Sequence, residues 1–138
     1  MSTITRRAAC NCGQLNLTIS GEPARVSMCH CFECQRRTGA VISNQARFRV
    51  DEVTFAGKTT VWTRTAESGN ALTFHFCPTC GSTVYWENDG FPGYITVAIG
   101  NFADPRFPAP TIAVWEQARH PWVSLPSDTP AKRVAKQG

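Results

Sequence analysis

Apolar and polar residues alternate along most of the chain. Leu15, Leu17 and Ile19 are separated by Asn16 and Thr18, a period of two that predicts a strand with one buried face. Gly21-Glu22-Pro23 ends it, and 25–28 is a second short strand. Segments 41–50, 53–56 and 59–65 are rich in β-branched and aromatic residues and read as strands. Leu72, Phe74 and Phe76 alternate with Thr73 and His75, and 83–87 follows in the same manner, so 72–86 reads as a hairpin. Segments 94–99 and 112–115 complete the strands. Between 35 and 39 the chain is polar and predicts one helical turn ending at Gly39. Residues 100–110 carry three prolines and no periodicity, an irregular connection. No window of a dozen residues has helical periodicity, so the expected fold class is mainly β. Residues 1–9 read as a flexible N-terminus, 10–125 as one domain and 126–138 as a disordered basic tail.

Composition narrows the class further. At 138 residues, with 42% hydrophobic and 17% charged residues, the chain is an ordinary globular domain and not a disordered one. No stretch is apolar for the length of a membrane span. Arg6 and Arg7 have no apolar run behind them, so no signal peptide is read and the expected compartment is the cytosol. The net charge of +4 comes from the ends, where Arg6, Arg7, Lys132, Arg133 and Lys136 lie; the body is at about −1. No basic stripe with interleaved aromatics is present, and neither nucleic acid nor membrane is an expected partner.

Seven cysteines change the picture most. An odd number, clustered as C-x-C and C-x-x-C in a chain read as cytosolic, points to metal and not to disulfides. The densest stretch is Cys29-His30-Cys31-Phe32-Glu33-Cys34. It supplies three ligands, and a tetrahedral zinc takes four. Either the fourth position is open to water or substrate, or a distant residue closes it; spacing leaves both readings standing. Cys10-Asn11-Cys12-Gly13 and Cys77-Pro78-Thr79-Cys80-Gly81 supply two further pairs. Together they make a four-cysteine structural site, which would clamp the start of the first strand to a hairpin tip. A quartet of Cys10, Cys12, Cys29 and Cys31 is the other arrangement, but it separates Cys34 from its own cluster. A zinc held by three cysteines is a weak Lewis acid, because each thiolate donates electron density. It is poorly suited to making hydroxide and well suited to holding an incoming thiol as thiolate. His30 lies between two ligands; its side chain is expected to point away from the sulfurs, bonded to backbone, with a rim or ligand role as the alternative. Spacing assigns no role to Gln35 or Arg36, and Arg36 and Arg37 are expected to be a solvated pair or carboxylate contacts. His75 is expected to face solvent and His120 to lie in a loop.

Taken together, Cys10-Asn11-Cys12-Gly13, Cys29-His30-Cys31-Phe32-Glu33-Cys34-Gln35, Arg37-Thr38-Gly39-Ala40 and Phe76-Cys77-Pro78-Thr79-Cys80-Gly81-Ser82 resemble the glutathione-dependent formaldehyde-activating enzyme family, also called the centromere protein V/GFA domain. The resemblance runs from about Cys10 to Trp122, with all three motifs in the family's order. It implies a β-tent (Mss4-like) fold of small antiparallel sheets with zinc knuckles. It carries a structural zinc over to Cys10, Cys12, Cys77 and Cys80, and a catalytic zinc to Cys29, Cys31 and Cys34. The activity it implies is a carbon–sulfur lyase reaction joining glutathione and formaldehyde as S-hydroxymethylglutathione.

Three function classes follow. The first is a zinc-dependent enzyme acting on a small thiol and an aldehyde. The second is a non-catalytic zinc module that binds a protein partner. The third, a methionine-sulfoxide reductase, needs a nucleophilic cysteine outside the zinc sites, and no cysteine follows Cys80.

Overall fold

The structure is a computed structural model and describes residues 4–125 and 132–134. It is mainly β, as expected, with one α-helix and three short 3-10 turns among the described residues. Strands β1 (Thr5–Ala9), β2 (Asn16–Ser20) and β5 (Val53–Ala56) form a small antiparallel sheet in the order β1-β2-β5. The larger sheet takes β3 (Arg25–Cys29), β4 (Ser43–Arg49), β6 (Thr60–Thr65), β7 (Ala71–Phe76), β8 (Thr83–Asn88), β9 (Tyr94–Ala98), β10 (Ile112–Val114) and β11 (Lys132–Arg133). Their order is β11-β10-β3-β4-β9-β8-β7-β6. Its pairs are antiparallel except β10, which runs parallel to both β3 and β11. No helix among the described residues is long and apolar enough to cross a membrane.

Alternation gives the larger sheet two different faces. On one, Ala46, Phe48, Ile95 and Val97 are fully or nearly fully buried and pack on Ala8, Leu15, Leu17 and Ile19 of the small sheet and its loop. Paired residues Phe48 and Ile95, and Ala46 and Val97, share that side. On the other face, Arg47 pairs with Thr96, Thr96 with Trp86, Trp86 with Phe74, and Leu72 with Arg64. That face carries a separate apolar cluster of Leu72, Phe74 and Trp86 and leaves room above it.

Three features differ from the sequence reading. Residues 5–9, read as a flexible end, are strand β1. Arg6 and Arg7 hide the alternation there: Ala8 is buried, while Arg6 pairs with Glu22 at 2.9 Å and lies over the Phe107 ring. The expected helical turn is a two-turn helix α1, Phe32–Thr38, which begins inside the cysteine triplet. Its first turn is capped by the Cys31 sulfur, which accepts the Cys34 N–H at 3.3 Å, a role that Ser or Asp usually fills. Gly39 ends it at φ 72, a conformation that glycine takes without strain. Of the expected tail, Lys132–Arg133 add a parallel strand to β10, and the rest of 126–138 lies outside the described residues, Val134 excepted.

Phe48 is fully buried at the centre of the contact between the sheets. Phe48→Ala is expected to lower stability by about 3–5 kcal/mol, read as the shift in the chemical denaturation midpoint of metal-loaded protein.

Candidate metal centre and its cavity

The seven thiols fall into two groups. Cys10, Cys12, Cys77 and Cys80 bring their sulfurs within 4.8 Å of one another, and so, separately, do Cys29, Cys31 and Cys34. All seven are unbridged.

The quartet joins the two sheets. Cys10 and Cys12 sit in the β1–β2 loop of the small sheet, and Cys77 and Cys80 at the β7–β8 tip of the large one. The sulfurs of Cys10 and Cys12 are 3.6 Å apart, and those of Cys12 and Cys77 are 3.7 Å apart. A tetrahedron with zinc–sulfur bonds of ~2.3 Å puts sulfurs about 3.8 Å apart, so the spacing fits zinc. The surroundings favour the thiolate at Cys77 and Cys80. Cys10 accepts the Leu15 N–H, and Cys77 accepts donors from Gln14 Nε2 at 3.0 Å and from the Thr79 and Cys80 N–H groups. Burial raises the Cys77 thiol, but these donors outweigh it and hold it at about 7. Hydrogen bonds from the Ser82 side chain and backbone hold Cys80 at about 5.

Gln14 is a structural residue that spacing did not reveal. Besides Cys77 it bonds both the carbonyl and the N–H of Lys58, at 2.8 and 2.9 Å. It thereby ties the quartet to the β5–β6 turn. Gly57 in that turn has φ +96, and a Cβ there would stand 2.0 Å from the Gln14 carbonyl oxygen. Only glycine allows so close an approach.

The triplet stands at the edge of the other sheet face. Cys29 ends β3, Cys31 caps α1 and Cys34 lies in its first turn. Hydrogen bonds from Cys29 and Cys34 push the Cys31 thiol down to about 2, and the bond to Cys31 pushes Cys29 far up. Three sulfurs this close share protons; one ionises readily and the others hold theirs. A cation is needed to take all three as thiolates, which is the behaviour of a metal site.

Behind the sulfurs the ligand loop is latched to the chain near β10. The His30 N–H donates to the Val114 carbonyl at 3.1 Å. The His30 ring is fully buried, with Nε2 2.9 Å from Glu116 Oε2. It therefore points away from the sulfurs as expected, but onto a carboxylate instead of backbone. It does not line the cavity described below. Gln35 Nε2 donates to the carbonyls of His30 and Ala118, and Gln35 Oε1 is 2.9 Å from His120 Nε2. His120, expected as a plain loop residue, is thus part of the latch. His75 stacks flat on Tyr85 at 4.3 Å and is half-buried, not solvent-facing.

A cavity of about 630 Å³ opens onto the triplet, with Cys29, Cys31 and Cys34 in its wall. Its floor is the second sheet face; α1, the 115–118 segment and the 66–70 turn form its sides. Four arginines line it, Arg36, Arg37, Arg47 and Arg64, against two glutamates, Glu33 and Glu67. Arg36 is exposed and paired with Glu33 at 3.2 Å. Arg37 departs from the solvated pair expected: it donates to Ser43 Oγ at 3.0 Å and lies 4.3 Å over the Trp86 ring. Arg47 lies 4.0 Å over Phe91. Arg47 and Arg64 lie on β4 and β6, and only the strand order shows that they share a face and that this face lies beside the cysteines.

The family described as glutathione-dependent formaldehyde-activating enzyme matches residues 5–118. The chain belongs to this family. A crystal structure of a Rhodobacter sphaeroides protein, a structural-genomics target, is similar with a TM-score of 0.56 and 21% identity, over 72% of this chain and 92% of that one. Likeness at that identity shows a shared fold. A search of curated proteins gives no match. In this family member both sulfur groups fit a tetrahedral metal, one with four donors of its own and one with three.

The expected metal content is two zinc ions per chain by elemental analysis. A mild chelator is expected to remove close to one equivalent quickly, from the triplet, and the second only on unfolding. Cys77→Ser is expected to abolish cooperative folding, whereas Cys31→Ser keeps the fold and about one zinc.

Proposed function

We propose that the protein is a zinc-dependent carbon–sulfur lyase of the glutathione-dependent formaldehyde-activating type, which forms or breaks a thiol–aldehyde adduct beside Cys29, Cys31 and Cys34. In this reading Cys10, Cys12, Cys77 and Cys80 hold a structural zinc. The supporting observation is that the one sulfur group with three donors opens directly into an arginine-lined cavity.

A zinc ion held by the three cysteines would supply a fourth coordination position at which a thiol becomes a better nucleophile. The chain does the rest. Four arginines facing two glutamates make the cavity attractive to a thiol with carboxylates, such as glutathione. Arg37 is fixed between Ser43 and Trp86, so it meets a carboxylate with little loss of freedom. Hydrogen bonds from Cys29 and Cys34 dominate the ionisation of Cys31, and the Arg64 charge favours it further. Arg64 lines the same cavity as the three cysteines and is placed to attract an anionic thiol toward them. In the forward direction a C–S bond forms, the carbonyl π electrons move to oxygen, and the thiol proton ends on that oxygen. No oxidant or reductant is consumed.

The test is exchange NMR of glutathione with formaldehyde. Zinc-loaded protein is expected to accelerate adduct exchange, and Cys31→Ser to return it to the uncatalysed rate with an unchanged circular dichroism spectrum. Arg64→Gln is expected to raise KM for glutathione roughly three- to tenfold, more than it lowers kcat. Exchange by zinc-loaded protein no faster than in buffer, across several thiols and aldehydes, sinks the proposal.

A further inference from the structure

The cavity has a second character that a polar thiol leaves unmatched. Beside the arginines, and apart from the buried Phe74 and Trp86 of the floor, stand the aromatic side chains of Phe32, Phe91, Tyr94 and Trp115. Phe32 follows Cys31 directly and is 59% exposed; the other three are half-buried. Solvent-facing rings at the mouth of a cavity are costly to leave wet and bind apolar bodies. Trp115 is held at φ 57, a left-handed conformation that bulky residues rarely adopt. Such strain is kept where the surroundings fix it, and it clusters at functional sites. Here it packs the indole against the sulfur cluster while the residue lines the cavity.

Formaldehyde has no use for such a wall. It is close to water in size, and a water takes about 30 Å³ of liquid volume, so beside a bound glutathione it would leave these rings uncovered. Glutathione is polar along its length, with two carboxylates, an ammonium and two amides, and these match the arginines and not the rings.

We propose that the carbonyl reactant of this protein is an aldehyde with an aromatic or comparably bulky apolar body, seated against Phe32, Phe91, Tyr94 and Trp115. The inference rests on the thiol–aldehyde reading above and names its substrate class. The step is the same: the thiol S–H adds across the C=O bond, sulfur bonds to carbon, and oxygen takes the proton.

Two stable thioethers test it by calorimetry on the zinc-loaded full chain. S-benzylglutathione mimics the adduct of an aromatic aldehyde, and S-methylglutathione that of formaldehyde. The benzyl compound is expected to bind at least about tenfold more tightly, since it buries a ring that the methyl compound lacks. Phe32→Ala and Phe91→Ala are each expected to shrink that ratio; Phe32 is largely exposed, so its truncation leaves the core intact. Dissociation constants within twofold of each other, no binding of either at millimolar concentration, or a ratio unchanged in both variants overturns the inference. Exchange with formaldehyde but no ring preference overturns this inference alone. Ring preference without adduct exchange for any aldehyde supports the aromatic seat and overturns the lyase reading.

Discussion

Sulfur atoms less than 4 Å apart repel as thiolates and share protons as thiols. The Cys10, Cys12, Cys77 and Cys80 group works under that constraint, and the two-sheet arrangement depends on it. Its members come from the loop of one sheet and the hairpin tip of the other. Gln14, Ser82 and the N–H groups of Thr79 and Cys80 aim donors at its sulfurs. Cys10, Cys77 and Cys80 also pack into the main apolar core, while Cys12 is exposed. A cation bound at that point would fasten the sheets together, and the donors would orient the ligands around it.

With one sheet face committed to that core, the opposite face is free for another use. The strand order brings Arg47, Arg64, Phe74 and Trp86 onto a common floor. Cysteines at the end of β3 and in α1 then stand at the edge of that floor. One alternation thus separates architecture from chemistry. In β4, Ala46 and Phe48 build the core, while Gln45 and Arg47 line the cavity.

Much of this was legible in the sequence. Period-two alternation located β2 and β7, which have one buried face, and β-branched and aromatic content located β4, β5 and β6, each to within a residue or two. The grouping of thiols followed from C-x-C and C-x-x-C spacing, because short loops hold their own ligands together. What escaped were features built by distant pairing. Strand β1 was hidden by Arg6 and Arg7; Arg6 lies over the Phe107 ring while its charge reaches Glu22, and Arg7 is exposed. The full length of α1 was hidden because its cap is a cysteine. The latch of His30, Glu116, Gln35 and His120 joins residues far apart in the chain, and no local pattern encodes it. The aromatic and cationic lining of the cavity was invisible for the same reason: its members are adjacent only in the folded sheet.

The parallel pairing of β3 with β10 has a consequence for the order in which the chain is made. Cys29, Cys31 and Cys34 leave the ribosome roughly 80 residues before Val114 and Glu116, which back them in the finished fold, and at about 5–20 residues per second that delay is on the order of 10 s. Through that interval the nascent triplet is uncovered, open to whichever soft metal or oxidant the surroundings offer first.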